Sequence, residues 1–102
     1  MNPNDKFPRV KDVPYVYNVD VVAANTQYAL AIPVNTKFIQ VQCRDATELR
    51  MAFVTGKVSG TVDILTVKAN QAQQFTDLKM AAGSLYLGCG TTLKVAEVVM
   101  WT

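Results

Sequence analysis

The side chains of this chain that could do chemistry are eight acidic residues and two cysteines, and there is no histidine. Histidine is the commonest general base and a frequent metal ligand, so its absence argues against most hydrolase triads and zinc sites. The acidic residues after position 14 stand singly: Asp20, Asp45, Glu48, Asp63, Asp77 and Glu97. Two carboxylates could still converge in space for glycosidase-type chemistry, but no motif for nucleotide binding or hydrolysis accompanies them. The sequence therefore predicts a protein that is not an enzyme and that holds neither a cofactor nor a metal ion.

The two cysteines, Cys43 and Cys89, are far apart and belong to no CxxC pair or other spacing typical of a metal site. Each lies in a run in which apolar and polar residues alternate, and each occupies one of the apolar positions of that alternation. We call this shared odd or even position its parity. This position favours buried free thiols that pack as small hydrophobic side chains. A disulfide or a reactive thiol is the alternative.

Charge is sparse and evenly spread along the chain. Charged residues make up 18% of it, and ten Lys or Arg against eight Asp or Glu give a net charge of +2. The basic residues do not cluster as they do in a nucleic-acid groove or a polybasic membrane patch. The N-terminus lacks the apolar stretch of a secretory signal, and no apolar run approaches the roughly 18 residues of a membrane span. We therefore expect a protein of a soluble, reducing compartment that binds neither nucleic acid nor membrane.

From residue 15 onward, apolar and polar residues alternate with a period of two, as in half-buried β-strands. The alternating runs are 15–21, 26–32, 38–43, 49–53, 62–67, 73–78, 84–87 and 93–101, separated by turn-forming residues. The parity slips between Ile64 and Leu65, as at a bulge or where a strand changes sheets, and run 73–78 is the weakest. Short strands without a helical period predict one all-β domain over residues 15–102, an antiparallel β-sandwich of jelly-roll type. We expect most aromatic side chains in its core and Trp101 tied into the last strand.

Residues 1–14 differ from the rest, because they carry three of the four prolines with charges between them. Proline fixes the backbone and lacks a donor, so this segment is predicted to be an extended arm on the surface rather than a strand in a sheet. A loose terminus is one interpretation. The other is an arm that docks on a neighbouring protein through Phe7, Arg9, Val10 and Lys11.

Several predicted strands have a second face that is only mildly polar, which suits a protein contact better than water. Such faces are predicted in four parts of the chain, at Ala29 and Ala31, Gln40 and Gln42, Ala52 and Val54, and Ala96 and Val98. Glu97 interrupts the last apolar run. It is either an outward-facing residue, a charge that guards an edge strand, or a partner for Arg or Lys across a subunit interface. We expect Gln40, Gln42 and Glu97 at the interface of a homo-oligomer, with a trimer favoured.

Five runs in the last two-thirds of the chain carry a family resemblance: 38–45 (FIQVQCRD), 49–53 (LRMAF), 65–69 (LTVKA), 84–87 (SLYL) and 95–102 (VAEVVMWT). Together they resemble small virion structural proteins of tailed bacteriophages, in which a Leu-Tyr-Leu strand and a closing Glu-Val-x-x-Trp strand end an all-β domain of similar size. The resemblance covers about residues 37–102.

This resemblance implies a non-enzymatic virion protein, most specifically a capsid decoration (cement) protein that binds and stabilises the head shell. Its partner would be the major capsid protein or another virion protein. Its location would be the virion, assembled in the host cytoplasm. A head–tail junction or tail/fibre subunit is the alternative within that class, and a glycan- or host-surface-binding β-sandwich module is the alternative outside it.

Overall fold

The computed structural model describes residues 14–79 and 83–102, and this part of the chain is all β, with no helix. Its strands are β1 (Tyr15–Val21), β2 (Tyr28–Ile32), β3 (Phe38–Cys43), β4 (Leu49–Ala52), β5 (Leu65–Val67), β6 (Ala72–Phe75), β7 (Gly83–Gly88) and β8 (Lys94–Trp101). The predicted fold class is confirmed. Of the proposed arm only Pro14 is described, so Phe7, Arg9, Val10 and Lys11 lie outside the described residues.

The strands form two four-stranded sheets. Sheet A has the order β1-β8-β3-β6, and sheet B has the order β2-β7-β4-β5. Every neighbouring pair is antiparallel. The first strand pairs with the eighth, the second with the seventh, the third with the sixth and the fourth with the fifth. The antiparallel sandwich is confirmed. The jelly roll stays a prediction, and the nested pairing of the strands is consistent with it.

The core lies between the two sheets and is aliphatic. Alternate residues of each strand point inward, so the period-two pattern converts directly into a buried layer. Sheet A contributes Val21, Ile39, Val41, Ala96, Val98 and Met100, and sheet B contributes Ile32, Leu49, Met51, Val67, Leu85 and Leu87. Burying one large aliphatic side chain contributes about 1.5–3 kcal/mol, so this layer is the main stabilising element of the fold.

Three of the connections between strands place an asparagine at a positive φ. Asn25, Asn35 and Asn70 have φ values of 53°, 66° and 62°. Asparagine tolerates this left-handed conformation better than most residues. The predicted turns around residues 25 and 35 are therefore confirmed, and each has an asparagine at its positive-φ position.

The segment between β4 and β5 differs from the prediction. The fourth strand ends at Ala52 rather than at residue 53, and the fifth begins at Leu65 rather than at residue 62. The residues between them form a loop whose Val58 is completely buried, while Leu65 is 39% exposed. Because β5 begins at Leu65, the parity slip between Ile64 and Leu65 marks the end of this loop, and the interpretations as a bulge or as a strand changing sheets are wrong.

The expectation of an aromatic core is wrong. No aromatic side chain in the described residues is fully buried, and Tyr15, Phe53 and Trp101 are exposed. Tyr17, Tyr28 and Phe75 pack only against the margin of the core. Trp101 is tied into β8, paired with Phe38 of β3, but its ring faces outward because its parity is opposite to that of the buried Met100.

Candidate functional site

The outer face of sheet A is the surface on which the predicted interface residues meet. We use this name for the outward side chains Val16, Asn18, Asp20, Phe38, Gln40, Gln42, Gln74, Val95, Glu97, Val99 and Trp101. β8 lies between β1 and β3, so the strand register aligns residues that are distant in sequence. One row across the sheet is Asn18, Glu97 and Gln42, and the next is Val16, Val99 and Gln40.

Gln42 and Glu97 are in direct contact in this face. The Gln42 Nε2 group donates a hydrogen bond of 2.9 Å to Glu97 Oε1, and Arg44 Nε donates one of 3.0 Å to Glu97 Oε2. The hydrogen bond from Gln42, and secondly that from Arg44, hold the pKa of Glu97 below its ordinary value. Both carboxylate oxygens thus have donors within the chain. That Glu97 also contacts another subunit stays a prediction.

The strand order decides between two of the interpretations of Glu97. β8 is an inner strand of sheet A, so Glu97 does not guard an edge, and that interpretation is wrong. The outward orientation is confirmed by the burial of its sequence neighbours Ala96 and Val98. The same burial corrects the assignment of Ala96 and Val98 to a mildly polar face, because they belong to the core. Ala52 of β4 is buried as well, so its assignment to such a face is also wrong.

Gln40 makes a second amide contact across the sheet. Gln74 Nε2 of β6 donates a hydrogen bond of 2.7 Å to Gln40 Oε1. The amide groups of this face therefore bond partly to one another. Pairing of this kind lowers the free-energy cost of covering the surface with a partner, because fewer polar groups lose water without replacement.

The outer face of sheet A also carries apolar side chains that were not predicted from the sequence. Val16 is 65% exposed and Trp101 is 43% exposed, while Phe38 and Val99 are half-buried beside them. The signal was present in the sequence: Val99 and Trp101 share the parity of Glu97, so an outward Glu97 implies that they also point outward. An exposed aromatic among valines and amides is typical of a protein contact surface.

A small charged cluster lies at one end of the sandwich, where β3 ends at Cys43 and β8 begins at Lys94. Lys94 Nζ is 3.0 Å from Asp45 Oδ2, and the Cys43 thiol donates a hydrogen bond of 3.2 Å to Asp45 Oδ1. The hydrogen bonds from Lys94 and then Cys43 lower the pKa of Asp45. Burial raises the pKa of the Cys43 thiol, which keeps it protonated and weakly nucleophilic at neutral pH.

The cysteines are both free in the structure. Cys89 is buried as expected, and its thiol donates a hydrogen bond of 3.3 Å to the Glu48 carbonyl oxygen. Cys43 is only half-buried at the end of β3. The buried-thiol interpretation therefore holds for Cys89 and only in part for Cys43.

A second apolar surface lies where the β4–β5 loop meets β6. It is a groove of about 550 Å³ whose lining includes Phe53, Leu65 and Phe75. The rings of Phe53 and Phe75 pack edge to face, with centroids 5.6 Å apart and an interplanar angle of 81°. Lys57 and Asp63 form an ion pair of 3.4 Å at its side. The groove lacks a convergent set of polar groups that would orient a small molecule.

The part of the chain that the structure describes shows no cluster of three or more His, Cys, Asp or Glu that could hold a metal ion. A search of the same residues for a helix of membrane-spanning length and hydrophobicity finds none.

Comparisons with known proteins give little beyond this. No protein-family model matches the chain, and no curated protein matches it. Among solved structures, it is similar to a chain of the Bacillus endospore appendages, described as a novel family of disulfide-linked pili. The two chains share 17% sequence identity over 88% of this chain and 87% of the other, with a TM-score of 0.45. At this level of similarity we draw no conclusion about fold or function from the match.

Proposed function

We propose that this chain is a non-enzymatic structural protein of a virion, most specifically a capsid decoration protein that binds and stabilises the head shell. The observation that carries the proposal is the outer face of sheet A, on which exposed Val16 and Trp101 lie among paired amides. Supporting it are the sequence resemblance over residues 37–102 and the absence of histidine from the sequence.

The chemistry of the outer face suits a permanent contact with another protein. Its apolar side chains gain free energy when they are covered, at roughly 25 cal/mol per Å² of apolar area. The face has two carboxylates. Glu97 already bonds to Gln42 and Arg44, so covering Glu97 leaves no isolated charge there, while Asp20 lies on the edge strand β1. A rigid sheet presents these groups in a fixed arrangement, which reduces the entropy lost on binding.

In this proposal the shell partner is the major capsid protein, and the protein acts as a homotrimer located in the virion. Residues 1–14 form a second attachment point, with Phe7 and Val10 as apolar anchors and Arg9 and Lys11 as charged ones. A head–tail junction or tail/fibre subunit uses the same surfaces against a different virion protein.

A glycan- or host-surface-binding module is the second candidate, and the position of Trp101 beside Phe38 favours it. Sugar rings pack on exposed aromatic side chains and hydrogen-bond to amides, and Gln40 lies one row away on the same face. A glycan array probed with the purified chain tests this candidate directly.

The experiment that tests the proposed function is co-sedimentation of the purified chain with empty head shells assembled from the phage's major capsid protein. We expect the chain to sediment with the shells, and Gln40→Lys to reduce binding because it places an unpaired charge in the outer face. Gln71→Lys adds the same charge on an exposed turn and should bind like the parent. A parent chain that stays in the supernatant would overturn the proposal, as would equal binding by both variants.

Removal of residues 1–13 tests the arm separately. No residue of the eight strands is deleted, so we expect an unchanged β-sheet spectrum and melting temperature but weaker co-sedimentation with shells. If the shortened chain unfolds, the segment belongs to the core. If it folds and binds equally well, the arm is not an attachment point.

A further inference from the structure

β1 is an edge strand of sheet A. It pairs with β8 over seven consecutive residues, Tyr15↔Met100 to Val21↔Lys94, without a bulge. On its other side it has no neighbouring strand among the described residues. Within residues 14–79 and 83–102, the backbone N–H and C=O groups of β1 that point away from β8 have no hydrogen-bond partner.

Proteins usually protect such an edge with a short strand, a lysine, an inward charge, a proline or a bulge. The other edge strands are short: β2 has five residues, β5 three and β6 four. β1 has seven, with the sequence YVYNVDV, and carries no lysine, glycine or internal proline. Its one charge, Asp20, points outward and not toward the core. β1 is therefore the edge suited to accept another strand.

We propose that β1 pairs antiparallel with β1 of a second copy of this chain, with Asn18 on the two-fold axis. Asn18 is the middle residue of β1, so this register lets all seven residues of each strand overlap. The two copies of sheet A then join into one continuous sheet by strand addition. This pairing uses only the edge of sheet A and covers neither of its faces, so the outer face stays available for the shell.

The side chains of β1 are self-complementary in this register. Asn18 opposes its own copy, and an amide can both donate to and accept from another amide. Asp20 opposes Val16 rather than a second carboxylate, which avoids repulsion between like charges. On the inner side, Tyr17 opposes Val19, and an aromatic paired with a β-branched residue is a favourable cross-strand combination. A two-fold axis at Asp20 would bring two carboxylates together and shorten the overlap.

Cysteine cross-linking tests the pairing and its register. Only a residue on the axis opposes itself, within the roughly 4.4–6.8 Å Cα separation that a disulfide allows. The two copies of residue 16 are about 14 Å apart in this register, since strands rise about 3.4 Å per residue. Asn18→Cys under oxidised glutathione should form covalent dimers about tenfold or more faster than Val16→Cys. The unaltered chain under the same oxidant measures the background from Cys43 and Cys89.

A mixture of Val16→Cys and Asp20→Cys should give mixed dimers as fast as Asn18→Cys gives homodimers, because these positions face each other. Positions 16, 18 and 20 are all exposed, so random collisions would cross-link them at similar rates. Equal cross-linking rates for Asn18→Cys and Val16→Cys would overturn the pairing. So would a mixture of Val16→Cys and Asp20→Cys in which homodimers form faster than mixed dimers. These measurements use the chain without shells, so their failure leaves the proposed function to its own test.

Light scattering of the unaltered chain gives an independent readout. A mass equal to two chains supports the β1 pairing. A mass of six chains supports both the β1 pairing and the trimer. A mass of one or three chains would overturn the β1 pairing. Asn18→Lys places two ammonium groups on the axis and should raise the dimer dissociation constant about tenfold or more. Gln71→Lys, on an exposed turn, should leave that constant unchanged, and an equal effect of the two substitutions would contradict the proposal.

Discussion

Single residues of the outer face make the stability of the protein depend on pH, and Glu97 is the clearest case. Hydrogen bonds from Gln42 and Arg44 lower its pKa in the folded state. A lowered folded-state pKa contributes stability above the ordinary carboxyl pKa of about 4.3, and this contribution is lost as the pH falls through the folded-state value. We predict that Glu97→Gln lowers the melting temperature at pH 7 and that its difference from the parent shrinks by pH 3.

The measurement is a series of thermal melts of the parent and Glu97→Gln between pH 3 and pH 7. Glu48→Gln is the matched control, because Glu48 is exposed and its carboxylate lies outside this hydrogen-bonded group. A difference between the parent and Glu97→Gln that stays constant with pH would contradict the prediction.

The two thiols are predicted to differ in reactivity. Cys43 is half-buried, and burial raises its pKa, so less of it is the reactive thiolate. Cys89 is only 1% exposed. In native buffer at pH 8, iodoacetamide should label Cys43 slowly and leave Cys89 unlabelled until the protein unfolds. Mass spectrometry of the digested chain distinguishes the two sites. Fast labelling of Cys89 in the native state would show that its burial is wrong.

At the scale of elements, the long β4–β5 loop is held by contact with β7. A Cβ atom on Gly88 would lie 2.8 Å from the Val58 carbonyl oxygen and 3.2 Å from that of Thr26. Both are backbone atoms, so the loop and the β7 strand would have to separate. We predict that Gly88→Ala destabilises the fold by about 1–3 kcal/mol, the usual range for overpacking.

Chemical denaturation of Gly88→Ala and Gly60→Ala checks this prediction. Gly60 lies in the same loop, and a Cβ there would contact nothing within 4 Å. Gly60→Ala should therefore leave the stability nearly unchanged. If both variants unfold at the same denaturant concentration as the parent, the close approach of the loop to Gly88 is not a constraint on the fold.

The buried face of a strand could be predicted from the sequence where its two faces differ in polarity. It could not be predicted where both faces are apolar. Ile39 and Val41 alternate with Gln40 and Gln42, so the inner face of β3 was evident from the sequence. In β8 both faces are apolar apart from Glu97 and the first residue, Lys94, so Glu97 is the single signal inside the strand for which face points outward. The β4–β5 loop was predicted, but three residues too short, because residues 62–64 continue an apolar pattern typical of a strand although β5 begins only at Leu65.

The candidate site was predictable in part for the same reason. Gln40, Gln42 and Glu97 could be chosen as unusual outward residues, but their proximity depends on β3 and β8 being neighbours. These strands are more than fifty positions apart: the Gln42–Glu97 hydrogen bond spans 55 residues. Alternation gives the face of each strand but not the order of strands in a sheet, so Val16 and Trp101 could not be assigned to the same surface.

At the scale of the whole molecule, the residues that stabilise the fold differ from the residues that we propose bind a partner. Its interior is filled by aliphatic residues, while Trp101 remains 43% exposed on the outer face. A fully buried Trp→Ala change costs roughly 3–5 kcal/mol. We predict that Trp101→Ala costs less than about 2 kcal/mol, because much of its ring is already in contact with water, but that it strongly reduces co-sedimentation with shells.

Phe53→Ala is the matched comparison for Trp101→Ala. Phe53 has nearly the same exposure, 41%, but lies at the groove beside Phe75, away from the outer face. Thermal melts and shell co-sedimentation of both variants separate two roles of an exposed aromatic residue. If Trp101→Ala alone loses binding while it remains folded, the ring belongs to the contact surface. If it unfolds like a core variant, or if Phe53→Ala loses binding equally, the outer face of sheet A is not the surface that binds the shell.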